Sequence, residues 1–132
     1  MLRVDRRGAT AVEFAFAAPV LMLFTVGIID FSMLVWSAST IENAAAEGAR
    51  YAIVYGGNSE APKSKAEIEA YTRTHAVGVP ATALDVDVSW LPDNRPGARV
   101  TVVVDYEHNF LVGGLVGLDP MQITKTSRMI VF

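Results

Sequence analysis

A long apolar segment dominates the first third of the sequence. Residues 14–29 contain no charged residue, Asp30 follows, and residues 31–36 are again apolar. As a helix with a rise of about 1.5 Å per residue, residues 14–36 would be about 34 Å long, enough to cross the ~30 Å hydrocarbon core of a bilayer. A helix satisfies its own backbone hydrogen bonds, so it can span a membrane where a loop cannot. The pattern therefore predicts a membrane anchor.

Behind the anchor, the pattern predicts that the helix continues and that a second helix follows. Residues 40–55 contain no helix breaker, and Gly56-Gly57-Asn58 is expected to close the long helix with a left-handed cap. Ser64-Lys65-Ala66-Glu67 has the form of a capping box, which begins a second helix. Gly78 and Pro80 end that helix.

The remaining sequence predicts three β-strands. Apolar residues alternate with polar ones in the first two, at Leu84, Val86, Val88 and Trp90 and then at Val100, Val102, Val104 and Tyr106. The turn-rich segment 92–97 joins them, which favours antiparallel pairing. Residues 122–132 form a third strand in which neither parity is cleanly apolar, as expected of a bulge or a partly exposed edge.

These elements predict an α+β fold in which a long N-terminal helix packs on a small three-stranded antiparallel sheet with one extra helix. We expect four segments along the chain: a leader peptide (1–8), the transmembrane half of the N-terminal helix (9–36), its extracytoplasmic half (37–57) and a small α+β globular domain (58–132).

The charges that flank the anchor predict its orientation. Arg3, Arg6 and Arg7 precede it against a single Asp5, whereas no basic residue follows it before Arg50. The positive-inside rule therefore places the N-terminus in the cytoplasm and the domain outside the inner membrane. A secretory signal cleaved after residues 37–39 is the competing interpretation, but the apolar run is longer than the usual signal and contains a carboxylate.

Glu13 is the most informative residue of the anchor. A carboxylate near the start of a spanning helix costs free energy, and such residues are usually functional, although a side chain at this depth can also reach back to the headgroups. Gly8 followed by Ala9, with Glu13 five residues after the glycine and basic residues before it, resembles the processing site of type IV pilins. The resemblance implies that a prepilin peptidase cuts between Gly8 and Ala9. It also implies that Glu13 pairs with the new N-terminus of a neighbouring subunit during assembly.

Further motifs narrow the resemblance. Glu13-Phe14, Pro19, the segment 27–31 and the segment 43–52 are similar to the TadE-like pseudopilins of the tight-adherence (Flp) pilus. The major pilins of that system are shorter and typically carry Glu-Tyr, which favours a minor subunit. The resemblance implies a pilin-like fold and a minor pilin or pseudopilin that supports surface adhesion. Its implied partners are the prepilin peptidase, other pilin and pseudopilin subunits, the inner-membrane assembly platform and membrane lipid. Incorporation into the filament stays open.

Three features of the helix and its surroundings allow two interpretations each. Asp30 is about 100° around the helix from Glu13, so it either meets a polar group on a partner helix or approaches the outer headgroups. Ala44, Gly48 and Ala52 form a stripe of small residues that packs either on the chain's own sheet or on another subunit. The apolar, glycine-broken loop at residues 110–118 either tucks under the sheet or contacts membrane or a partner.

Composition narrows the classes of function. The net charge of −3 gives no basic footprint for nucleic acid. The chain has no cysteine, and Asp85, Asp87, His75 and His108 lack the spacing of a metal or catalytic site, so we expect no cofactor and no enzymatic activity. The alternative to a pilus subunit is a single-pass, membrane-anchored extracytoplasmic binding module that does not polymerise. Only the pilus subunit requires Gly8 and Glu13.

Overall fold

The computed structural model describes residues 6–132, with side chains from Gly8 onward, so most of the predicted leader at residues 1–8 lies outside the described residues. The elements are helix α1 (Arg6–Val54), helix α2 (Lys65–His75), a 3-10 turn (Ala81–Ala83), strands β1 (Leu84–Leu91) and β2 (Arg99–His108), the short helix α3 (Gly113–Val116) and strand β3 (Met121–Ile130). They form an α+β fold, which confirms the predicted fold class.

The sheet is antiparallel, with β2 in the centre and β1 and β3 at the edges. Val88 pairs with Val102, and Val102 pairs with Ser127 on the other side. The pairing of β3 with β2 is unbroken from Met121 to Ile130, so β3 contains no bulge. The polar residues on both of its faces reflect its position at the edge of the sheet.

The core lies between the inner face of the sheet, the second half of α1 and the inner face of α2. Most of the predicted inward residues of β1 and β2 are buried there, together with small residues of α1, whereas Trp90 and Tyr106 are partly buried. The most deeply buried members are Ile41, Ala44, Ala49, Ala52, Ile68, Val100, Val102 and Val104. Small side chains on α1 let the sheet and α2 approach the helix backbone closely. The first half of α1 takes no part in this core.

The end of α1 differs from the sequence-based prediction. The helix ends at Val54, and neither Gly56 nor Gly57 has a positive φ, so the left-handed cap is wrong. Gly57 instead donates its N–H to the carbonyl oxygen of Asn94 at 3.2 Å, and a Cβ on Gly57 would overlap that oxygen. The glycine is needed for a close backbone approach that local sequence does not reveal.

The predicted capping box at the start of α2 is present. Ser64 Oγ accepts from the Glu67 N–H, and the Glu67 carboxylate accepts from the Ser64 N–H at 2.8 Å. The hydrogen bond from the Ser64 backbone, with those from Lys63 and the Ser64 hydroxyl, lowers the pKa of Glu67 to about 2.

Glu67→Gln is expected to flatten the acid dependence of domain stability. Because the pKa of Glu67 is lower in the folded state, its stabilising contribution is full above the ordinary value of 4.5 and is lost as the pH falls towards about 2. Glutamine keeps a capping oxygen but has no proton to gain. Thermal unfolding from pH 5 to pH 2 checks this: the melting temperature of the wild type should fall more steeply than that of the variant, and parallel curves would contradict the assignment.

Candidate membrane anchor and assembly surface

The first half of α1 projects from the domain as an exposed apolar helix. Residues Gly8–Val54 include a stretch long and apolar enough to cross a membrane, and no part of its most apolar window is buried by the protein. The exposed side chains include Val12, Phe14, Phe16, Val20, Leu21, Met22, Phe24 and Ile28. A helix that is apolar on all sides and uncovered by protein is suited to a lipid or helical environment. The described residues therefore contain one candidate membrane anchor, at their N-terminal end.

Glu13 lies on this surface with no partner among the described side chains. Its side chain is exposed, and within residues 8–132 no hydrogen bond or ion pair reaches it. The carboxylate stands at one end of a shallow groove along one face of the helix, formed with Phe16, Ala17, Val20, Leu21 and Phe24. A carboxylate beside an apolar groove can form an ion pair with a cationic group of a neighbouring molecule, since pairing offsets part of the cost of desolvating the carboxylate.

Gly8 and Ala9 precede this groove by about one helical turn. Both are exposed, and nothing lies within 4 Å of the position that a Cβ on Gly8 would occupy. The folded domain therefore does not cover Gly8 or Ala9.

Asp30, the second acid of α1, is held within the chain. It is 4% exposed, and its two carboxylate oxygens accept from the backbone N–H groups of Leu111 at 2.9 Å and Val112 at 3.2 Å. Its partner is thus the loop between β2 and β3. The sequence suggested Asp30 and the apolar loop separately as features of interest but did not pair them.

The apolar loop, residues 110–118, does not tuck under the sheet. It contains the short helix α3, and Leu111, Leu115 and Leu118 are 65%, 82% and 53% exposed. Gly117 ends the helix in the left-handed region with a φ of 72°. The loop therefore presents leucines outward while its backbone is tied to α1.

The stripe of small residues on α1 is buried by the chain's own domain. Ala44 and Ala52 are completely buried in the core, and Gly48 faces Thr72 of α2 so closely that a Cβ on Gly48 would overlap the Thr72 side chain. Thr72 is itself buried, with its hydroxyl donating to the Ile68 carbonyl at 2.8 Å. In this structure the stripe packs within the chain's own core, and at Gly48 it joins α1 to α2.

Trp36 makes a contact that sequence reasoning missed. Its indole ring lies against Gly78, which has a φ of 84°, so a side chain on Gly78 would overlap the ring. The Gly78-Val79-Pro80 turn was interpreted only as a helix end. A tryptophan at the end of an apolar run was the available signal, because tryptophan is frequent where helices leave the membrane.

The polar groups of the domain form surface pairs. Lys65 Nζ donates to Asp87 Oδ1 at 2.5 Å, and this hydrogen bond raises the pKa of Lys65 above its ordinary value.

His108 is buried with its ring near those of Tyr106 and Phe110. Among the described residues, no group of three or more His, Cys, Asp or Glu side chains is arranged to hold a metal ion.

The segment that contains Gly8, Glu13 and Asp30 matches a known protein family. The model of the TadE-like protein family matches residues 8–50, which confirms the resemblance seen in the motifs over the anchor and the helix that follows it. Neither the curated proteins nor the solved structures include a significant match to the chain.

Proposed function

We propose that this TadE-like chain is a minor pilin or pseudopilin that takes part in assembling a tight-adherence pilus used in surface attachment. The TadE-like match implies a role in such pilus systems, together with other pilus components. The main support for a role in assembly is Glu13, whose exposed carboxylate lies on an apolar helix and has no partner among the described residues.

The partner proposed for Glu13 is the N-terminal amine of a neighbouring subunit. A free α-amino group has a reference pKa of about 7.7–8.0, so it is mostly cationic at pH 7. In a bundle of apolar helices, an amine and a carboxylate that pair offset part of each other's desolvation, whereas either one alone is costly. The pair forms in only one alignment of two neighbouring helices. It therefore fixes how far the helices are shifted along each other when they pack.

This pairing requires a free amine, which a prepilin peptidase provides by cutting between Gly8 and Ala9. The peptidase removes the basic leader and leaves Ala9 as the new N-terminus, four residues before Glu13. The protein is its substrate and catalyses no reaction itself.

The segments follow from this arrangement. Residues 9–36 lie at the inner membrane with the N-terminus on the cytoplasmic side, and residues 37–57 together with the domain at 58–132 lie outside. The folded contacts argue against a secretory signal cut after residues 37–39, because Asp30 and Trp36 on the N-terminal side of such a cut pack against the domain. The anchor and domain therefore function as one unit beside the assembly platform.

Replacing Glu13 tests the proposal. Glu13→Gln keeps the size of the side chain but removes its charge, so membrane insertion and cleavage should persist while assembly is impaired. Leaving one member of a buried ion pair alone costs about 3 kcal/mol or more, which corresponds to at least about a 100-fold weaker recruitment of the subunit. Fibres sheared from cells expressing each variant, with immunoblotting of this chain and of the major pilin, give the measurement.

Thr25→Val is the matched control. Thr25 is also an exposed polar residue of the apolar helix, but its hydroxyl donates to the Leu21 carbonyl of its own helix at 2.8 Å, so its loss should leave assembly at the wild-type level. Normal fibres and normal recruitment in Glu13→Gln would count against a pilus subunit and in favour of a tethered binding module that does not polymerise.

A further inference from the structure

We infer that the apolar loop, residues 110–118, is a second membrane contact, which inserts its leucines among the lipids of the leaflet on the domain side. The inference rests on the membrane anchor alone and not on pilus assembly.

The first support is the position of the loop relative to the anchor. Asp30 is the first charged residue after the uncharged run at 14–29, and its carboxylate binds the Leu111 and Val112 N–H groups. The start of the loop is therefore fixed at the level of α1 where this run ends. The hydrogen bonds also satisfy the Asp30 carboxylate without solvent, which suits a site near the bilayer.

The second support is the depth of that level. From Ala9 to Ile29 the helix is about 31 Å long, close to the ~30 Å of a hydrocarbon core. On its open side α1 stays apolar for about 9 Å beyond Asp30, with Phe31 and Val35 exposed and with Trp36 half exposed beside its contact with Gly78. Because tryptophan favours the membrane–water interface, the level of Asp30 and of the loop lies within the lipid boundary and not in bulk water.

The third support is the surface of the loop itself. Residues 110–118 carry no charge, and the outward side chains are Leu111, Leu115, Val116 and Leu118, with Met121 exposed just beyond. Leu115 is 82% exposed at the tip. Monomeric proteins seldom expose contiguous apolar surface of this kind to water, whereas burial in lipid is favourable at about 25 cal/mol per Å² of apolar area.

An uncharged or zwitterionic lipid surface fits this loop better than an anionic one. The neighbouring charged side chains, Glu107 and Asp119, are acidic, so attraction to anionic headgroups does not contribute. The start of the loop is instead held against α1, whose exposed apolar surface is the candidate membrane anchor. Two contacts, the helix and the loop, would fix the tilt of the domain on the membrane.

A fluorophore placed on the loop tests the inference. The natural chain has no cysteine, so Leu115→Cys accepts a single environment-sensitive label such as NBD, and the exposed position tolerates it. The full chain is reconstituted in phosphatidylcholine vesicles, without pilus components. The matched control is Leu91→Cys, an exposed leucine at the opposite end of the sheet.

The expected result is a label at residue 115 that emits at shorter wavelength than the label at residue 91. It should also be quenched by phosphatidylcholine carrying a nitroxide near the headgroup and be protected from aqueous iodide. A label at residue 115 that iodide quenches as strongly as the control would overturn the inference. Protection from iodide without nitroxide quenching would also overturn it, since a second copy of the chain would then cover the loop.

Asp30→Ala supplies an independent variant. Without the carboxylate the loop is released from α1, so nitroxide quenching at residue 115 should decrease while the label at residue 91 is unchanged. Failure of these experiments would leave the Glu13 pairing untouched, because assembly is not measured in them.

Discussion

Gly8→Leu is expected to leave the leader attached and to abolish assembly of the subunit. A glycine lets the backbone approach an enzyme closely, and a leucine beside the scissile bond keeps that bond away from the catalytic groups. A misfit of about 1.4 kcal/mol already slows cleavage about tenfold. Uncleaved chains have no free amine at Ala9, so the Glu13 side chains of their neighbours lose their partner as well.

The structure indicates that Gly8→Leu should affect cleavage without disturbing the fold of the domain. Nothing lies within 4 Å of the added Cβ, so the domain should fold as in the wild type. Gly27→Leu is the matched control, because it makes the same change on the same helix, also with nothing within 4 Å, but far from the scissile bond. Immunoblots of cells with the peptidase should show the longer form for Gly8→Leu and the shorter form for Gly27→Leu. Equal processing of both would show that Gly8 is not part of a cleavage site.

Gly48→Leu is expected to unfold the domain or to destabilise it by about 3 kcal/mol, the upper part of the usual range for overpacking. A Cβ on Gly48 overlaps the buried Thr72 side chain, and a leucine must place three further carbons in the same contact between α1 and α2. Leucine is a better helix former than glycine by roughly 0.8 kcal/mol, so helix propensity opposes this effect and only packing can produce it.

Thermal unfolding of the full chain in detergent measures this effect. The melting temperature should fall by about 12 °C or more, given about 4 °C for each kcal/mol in a small domain. Gly27→Leu is again the control and should melt like the wild type. The milder Gly48→Ala should be partly rescued by Thr72→Ala, because the two residues are in contact and their effects are not additive. A wild-type melting temperature for Gly48→Leu would show that α1 and α2 do not meet at Gly48.

Much of this fold could be predicted because its signals are local. The capping box needs only Ser64 and Glu67, three residues apart, and the alternation in β1 and β2 is visible within each strand. The length of the apolar run predicts the anchor in the same way. Such patterns state which face of an element is buried, and the sheet follows when those faces are put together.

The contacts that local sequence does not reveal join distant parts of the chain. Asp30 and Leu111 are 81 residues apart, and the pairing depends on the strands carrying the loop back to α1. Gly57 also contacts a residue that is distant in the sequence, Asn94. The local sequence therefore suggested only a helix cap for Gly57. For Gly8 and Glu13 the limit is different: their proposed partners are a peptidase and a neighbouring subunit, so the interactions of a single chain do not contain them.

The most direct test of the central claim is the N-terminal sequence of the wild-type protein, determined by mass spectrometry on material from membranes and from sheared fibres of cells with the matching peptidase. The account predicts a chain that begins at Ala9, with or without a methyl group on its amine. A chain that begins at Met1 in those cells, or at Thr40, would contradict it.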